Sequence, residues 1–206
     1  LAGGECWTEP EKAMVTVAYE LAAELHRDDP RDEHTYIYHL LRNANRAIGY
    51  LGTSDPEIIT AILLHDSVED HPRKLIEHTS LEDSGQTSGL ADGSAELQTA
   101  ALERLSELFS PRVSSIVVAV TNPPAIESTE LSYEEKITQY VNKVEGAVQT
   151  IEAWITKFTD WVDNALSIVH GDLPANSAKL RHRKYKYGRV KPVLFARYKQ
   201  PDIQAL

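Results

Sequence analysis

Apolar positions recur along the chain at intervals of three and four, and that spacing predicts helices. Thr8-Glu9-Pro10-Glu11 has the form of a capped helix start, with a hydroxyl three residues ahead of a glutamate and a proline in the first turn. Met14, Val17, Ala18, Leu21 and Leu25 follow on one face, so a helix is expected to about His26. The acidic, proline-containing stretch RDDPRDEH reads as a loop, and a second helix is expected from Tyr36 to Tyr50. Asp55-Pro56 restarts a helix that runs through Ile58, Ile59, Ile62 and Leu63 into AILLHDSVED, residues 61–70, read as one continuous helix.

Residues 79–95 lack periodicity and are rich in Gly, Ser and Asp, which predicts a surface loop. Two helices are expected over 96–109 and 111–120, with a strand over the β-branched VVAV as the minority reading. A capping box at Ser132-Tyr133-Glu134-Glu135 opens a helix to about Val144. A long helix then carries Ile151, Trp154, Ile155, Phe158, Val162, Ala165 and Ile168 on one face. Val117, Val118, Trp154 and Phe158 are expected in the core. Nothing suggests a sheet of any size or an internal repeat, so the expected fold class is all-α, a single-domain helical bundle with its core over about 8–170.

Length and composition narrow the picture. A chain of 206 residues suits one well-buried core, and no apolar run approaches the roughly 20 residues needed to span a bilayer, so a soluble protein with no membrane partner is expected. Cys6 is the single cysteine, which excludes an intramolecular disulfide and points to a cytoplasmic home. Charge is asymmetric. Residues 179–206 hold nine Lys and Arg against Asp202, a net +8, so the remaining 178 residues carry −18 of the total −10. An acidic body argues against nucleic acid as a partner, and the basic segment 179–199 reads as a solvated or homo-oligomer-contact face, with Tyr185, Tyr187 and Phe195 leaving a nucleotide contact open.

The candidate chemistry lies in three places. AILLHDSVED crowds His65, Asp66, Glu69 and Asp70 onto the end of an apolar helix, where His65 stacks over Glu69 and Asp66 over Asp70. Thr35-Tyr36-Ile37-Tyr38-His39 sets a histidine among apolar neighbours, and residues 157–164 set two carboxylates, Asp160 and Asp163, and the Asn164 amide in the most apolar helix of the chain, where burying Asp160 without a partner is costly. A shared cation would remove that cost. His26, His34, His71, His78, His170 and His182 lie in polar surroundings and are expected to face solvent.

The segments YIYH at 36–39, AILLHDSVED at 61–70 and KFTDWVDNAL at 157–166 resemble the metal-binding signature of HD-superfamily phosphohydrolases. The Glu-Asp pair after His65-Asp66 is closer to the hydrolase domain of the RelA/SpoT homologues and the small alarmone hydrolases, and the likeness spans about residues 12–170, including VVAVTNP. The chain departs from that pattern at Leu40, where the family has proline, at Trp161, where it has arginine, and at Asp163, where histidine is frequent. The resemblance implies a metal held by His39, His65, Asp66 and Asp160, and water handling by Glu69 and Asp70. It implies nucleotide contacts from Asn164, with Arg27, Arg31 and Lys157 as candidates to offset the acidic body. The implied ion is one Mn²⁺, with Fe²⁺, Co²⁺ or Zn²⁺ also suited to two imidazoles and two carboxylates. The implied reaction is hydrolysis of (p)ppGpp at the 3′-diphosphate, giving GDP or GTP and pyrophosphate. Two alternatives stand beside it: an HD phosphohydrolase acting on another nucleotide, and a non-catalytic domain that senses one.

Overall fold

A computed structural model of the chain describes residues 7–31, 34–80, 89–122, 131–170 and 177–198. Among these, helices account for all of the regular structure except one two-residue antiparallel ladder, β1 (Pro30–Arg31) with β2 (His34–Thr35), inside the expected loop. The all-α expectation holds. The central element is α3 (Pro56–Leu64), capped by the Asp55 carboxylate, which accepts from the Glu57 amide at 2.9 Å. Every residue from Ile58 to Leu64 is buried, so α3 is apolar all round and needs partners on every side. It packs against α1 (Glu9–Leu25), α2 (Ile37–Leu51), α7 (Pro111–Val120) and α9 (Ile151–His170). The start of α1 is fixed as the sequence predicts, with the Glu11 carboxylate accepting from the Thr8 amide and hydroxyl. Gly52 ends α2 at φ 71°, a left-handed cap that a side chain would strain.

The predicted continuous helix over 55–70 is corrected. α3 stops at Leu64, His65 and Asp66 form a turn, and α4 (Ser67–Asp70) follows before α5 (Pro72–Thr79). His65 and Asp66 keep right-handed backbone angles, φ/ψ of −61/−31° and −91/−13°, so the chain continues to wind while the regular helical ladder lapses. On a regular helix, side chains of adjacent residues point about 100° apart. Here the break lets two neighbours face one point.

VVAV is helical within α7. Val117 is buried, but Val118 is 49% exposed, which corrects its expected place in the core. α6 (Ala95–Leu108) packs on α7, and α8 (Tyr133–Ala147) begins at Ser132, whose hydroxyl and amide both contact the Glu135 carboxylate. Residues 81–88 of the expected loop lie outside the described residues. The basic segment forms a helix that the periodicity does not announce, α10 (Ala178–Tyr198). It packs on α8 and α9 through Leu180, Val190 and Leu194, and Trp154 and Trp161 donate their indole N–H groups to the carbonyls of Leu194 and Tyr187, each at 3.0 Å. No helix among the described residues is long and apolar enough to cross a membrane.

Candidate metal centre

α2, the α3–α4 junction and α9 bring His39, His65, Asp66 and Asp160 to one point. His39 Nε2 lies 3.6 Å from Asp66 Oδ2 and 3.4 Å from Asp160 Oδ1. His65 Nε2 lies 3.1 and 3.7 Å from the same two oxygens. His39, His65 and Asp160 are buried and offer ligand atoms all within 4.8 Å of one another, while Asp66, the most open of the four, closes the group from the junction.

The partners of each ring fix which nitrogen faces inward. His65 Nδ1 is 2.8 Å from the Ile62 carbonyl, which can only accept, so Nδ1 carries the proton and Nε2 presents a lone pair. His39 Nδ1 is 2.7 Å from a carboxylate oxygen of Asp163 and is protonated for the same reason. Asn43 Nδ2 sits 3.3 Å from His39 Nε2, a long contact from a donor to that bare nitrogen. His65 Nε2 is buried and makes no hydrogen bond, although Asp66 Oδ2 is 3.1 Å away. An orphaned buried nitrogen is costly, and a cation is the partner this geometry accommodates. Ligands bonded to one ion at about 2.0–2.2 Å sit roughly 3.0–3.6 Å apart, close to the observed 3.1–3.7 Å. The donor set fits a divalent metal.

The electrostatics point the same way. Burial works against a charged His65, yet the Asp66 and Asp160 carboxylates outweigh it and lift the ring to about 10. A cation at Nε2 would answer the same pull and leave the ring neutral. Lys157 adds to the balance, donating to Asp160 Oδ2 at 2.9 Å, while Asn164 Nδ2 reaches Asp160 Oδ1 at 2.5 Å and the Tyr36 hydroxyl donates to Asp66 Oδ2 at 2.5 Å.

Glu69 and Asp70 follow Asp66 on α4 and differ in their surroundings. Both Glu69 oxygens accept from Asn122, from its side-chain amide at 2.8 and 2.9 Å and from its backbone N–H at 2.9 Å. Asp70 is pushed up to about 7 by burial first, then by the charges of Asp66 and Glu69. Both line a cleft of about 380 Å³ with His71, Arg73 and Lys74, and His39, His65, Asp66 and Asp160 are not among its lining residues.

Across the opening, α8, α9 and α10 gather lysines. Lys186 Nζ is 4.1 Å from the centre of the Tyr140 ring and Lys157 Nζ is 6.0 Å from it. Lys143 donates to the Thr121 carbonyl and to Asn122 Oδ1, and burial depresses it to about 8 against the opposing pull of Glu69. Burial and then the charge of Lys157 also depress Lys186. Like charges are thus held together beside an acidic site.

The remaining nucleotide-facing candidates are spread out. Lys157 and Asn164 both hold Asp160, Arg27 is exposed and paired with Glu24, and the side chain of Arg31 lies outside the described residues. His26 is corrected from solvent-facing to buried. It stacks on Tyr36 with ring centres 4.4 Å apart, and His26 Nδ1 and His71 Nε2 both donate to Asp29 Oδ2, at 2.6 and 2.7 Å. This second His/Asp group is closer-set than the first. Its spacing is that of hydrogen bonds, with a proton on each contacting nitrogen, whereas the first group has the spacing of ligands around an ion.

Sequence reasoning passes over Tyr36, Arg42, Arg46, Asn122 and Lys143, and marks Lys186 only as part of the basic segment. His39, Arg42, Asn43 and Arg46 form a polar stripe at helical spacing on α2, which is a readable sign that this face meets something charged. Asn122 and the lysines carry no local mark, because their partners lie on other helices.

No family sequence model matches the chain, and no curated protein sequence matches it. In fold, the chain is similar to a solved structure described as a metazoan ortholog of SpoT that hydrolyzes ppGpp and plays a role in starvation responses. The TM-score is 0.63 at 21% identity, with 94% of this chain and 90% of that chain covered. The two share an architecture over nearly their whole lengths.

Proposed function

We propose that this chain is a metal-dependent phosphohydrolase of the HD type that acts on (p)ppGpp. It would release the 3′-diphosphate as pyrophosphate and leave GDP or GTP. The observation that carries the reading is the convergence of His39, His65, Asp66 and Asp160 around a buried, unpartnered His65 Nε2. The fold shared with the SpoT ortholog and the resemblance at YIYH, AILLHDSVED and KFTDWVDNAL supply the substrate class.

Mn²⁺ held by His39, His65, Asp66 and Asp160 supplies a Lewis acid that lowers the pKa of a water and offsets charge on a phosphate oxygen. Asp70 is the proposed base. Burial and its acidic neighbours raise the Asp70 carboxyl, which makes it a stronger acceptor for the proton of the attacking water than an ordinary carboxylate. Glu69, with both oxygens tied to Asn122, is the fixed partner that keeps Asp70 raised and orients the water. Water oxygen bonds to the 3′ phosphorus as Asp70 takes its proton, the bond from phosphorus to O3′ breaks, and the proton held by Asp70 passes to O3′ as it leaves, which returns Asp70 to its ionised form.

The substrate is a polyanion and the first 178 residues of the chain carry −18. Lys143 and Lys186 reconcile the two, because ammonium groups depressed by burial gain most from a phosphate beside them, while Lys157, held charged by Asp160, adds to the positive field. Asn164 and the arginines Arg27 and Arg31 complete the proposed nucleotide contacts, and the basic α10 contributes through Lys186.

Chelation tests the reading. Protein stripped with a chelator and dialysed should leave ppGpp intact, and Mn²⁺ added in excess should restore its loss. Equal turnover in chelator and in Mn²⁺ would refute metal dependence, and no turnover in either would refute the substrate.

A further inference from the structure

Behind the cation-facing residues lies a second layer of charge that the proposed chemistry does not touch. Asp160 and Asp163 are one turn apart on α9, and His39, Arg42 and Arg46 occupy one face of α2 against it. Asp163 is 2% exposed. Donors from three side chains among the described residues reach its carboxylate, at both oxygens. Oδ2 accepts from His39 Nδ1 at 2.7 Å and from Arg42 Nη2 at 2.9 Å, and Oδ1 accepts from Arg42 Nε at 2.7 Å and Arg46 Nη1 at 2.6 Å.

The geometry points to Asp163 as the positioning residue of the metal centre, holding His39 with Nδ1 protonated and Nε2 turned to the ion, while Arg42 and Arg46 clamp the carboxylate behind the ring. This rests on the metal reading above. Three features carry it. The bond to His39 Nδ1 excludes the tautomer whose Nε2 would bear a hydrogen and could not ligate. The bidentate fork of Arg42 fixes the plane of the carboxylate and, through it, the plane of the imidazole. The guanidiniums also keep Asp163 from swinging forward. A third free carboxylate near two imidazoles would otherwise compete to become a ligand itself.

The arrangement is built from this chain's own residues. Asp163 occupies a position where the resembled family often has histidine, and its two arginine partners come from the polar stripe of α2. A neutral imidazole there could accept from His39 but could not anchor two guanidiniums. The carboxylate does both.

The test is metal binding, read apart from catalysis. Metal-free wild-type protein, Asp163→Asn and Asp163→Glu are titrated with Mn²⁺ by calorimetry, and the Co²⁺-loaded forms are compared by visible absorption, which reports the ligand field. Loss of such an outer partner typically weakens metal binding about 10–100-fold. Asp163→Asn should fall in that range with a shifted Co²⁺ band. Asp163→Glu keeps the charge for the arginines but displaces the oxygen from Nδ1, so it should fall likewise, and it answers the question if the asparagine variant does not fold. Affinity within threefold of wild type with an unchanged Co²⁺ band, in whichever of the two variants folds, would overturn the positioning role. Wild-type protein that takes up no metal would overturn the metal reading itself, a separate outcome.

Discussion

Asp160→Asn is expected to empty the centre of its ion and lower turnover of ppGpp by a factor of about 10³ or more, several kcal/mol of transition-state stabilisation. Asp160 Oδ1 is 3.4 and 3.7 Å from the two histidine nitrogens, so a neutral amide there removes one of the two carboxylates that, among the described residues, face both rings. The same change strips Lys157 of its carboxylate partner, and Lys157 is itself buried. Breaking a buried pair in this way typically costs about 3–5 kcal/mol, so the variant should also melt earlier, and its activity should be assayed well below that transition. Asp66→Asn separates the two effects. Its carboxylate is more open and is met by the Tyr36 hydroxyl, which an amide oxygen can also accept from, so stability should change less while metal content and turnover still collapse. Metal analysis of the dialysed variants checks both. A variant that lost Asp160 and kept wild-type turnover would remove the centre from the mechanism.

Asp70→Asn carries the opposite sign for stability. Burial, Asp66 and Glu69 raise the Asp70 carboxyl from the ordinary carboxylate range to about 7 in the folded chain. A folded pKa above the unfolded one means that the fold prefers the protonated form. That preference is fully present below about pH 4 and is lost as pH rises through 7, where the ionised group must be held among like charges. At pH 8 the metal-free Asp70→Asn protein should therefore be more stable than wild type. Asp70 still meets solvent, which screens the repulsion, so the gain is on the order of 1 kcal/mol and should vanish near pH 4. Turnover should nonetheless fall by a factor of about 10²–10⁴, the range that loss of a general base costs. Thermal melts at pH 4 and 8, paired with assays at pH 8, give the result. A variant that is inactive and also less stable at pH 8 would mean that Asp70 is a structural residue, since strain held for chemistry is relieved when the group is removed.

The contrast between these two acids shows where the sequence is legible. Asp160 stands out because a carboxylate in an apolar helix needs a partner, and Asp70 because it follows His65-Asp66 at a helix end. What separates their roles, Lys157 beneath one and the charges of Asp66 and Glu69 beside the other, is tertiary. The helices read well where apolar residues mark one face, as in α2, α6 and α9, whereas in α1 Val17, expected on the apolar face, is 50% exposed and Val15 is buried in its place. The break after Leu64 is hidden because His65 and Asp66 keep helical angles and the apolar pattern continues to Val68. α10 is hidden for the opposite reason. Its buried positions, Leu180, Val190 and Leu194, are sparse among basic residues, and the docking is completed by indole hydrogen bonds and by Arg197 donating to the Val148 carbonyl at 3.1 Å. His26 misleads because local polarity describes its neighbours in sequence, while its burial is decided by Tyr36 and by Asp29 shared with His71.

The most direct test of the central claim is the identity of the products. Purified protein with Mn²⁺ is incubated with ppGpp, and the nucleotide and phosphate products are separated by ion-exchange chromatography. The proposed attack at the 3′ phosphorus predicts GDP and intact pyrophosphate in equal amounts, with neither formed by Asp160→Asn. Orthophosphate as the product, or ppGpp recovered unchanged from metal-loaded protein, would contradict it.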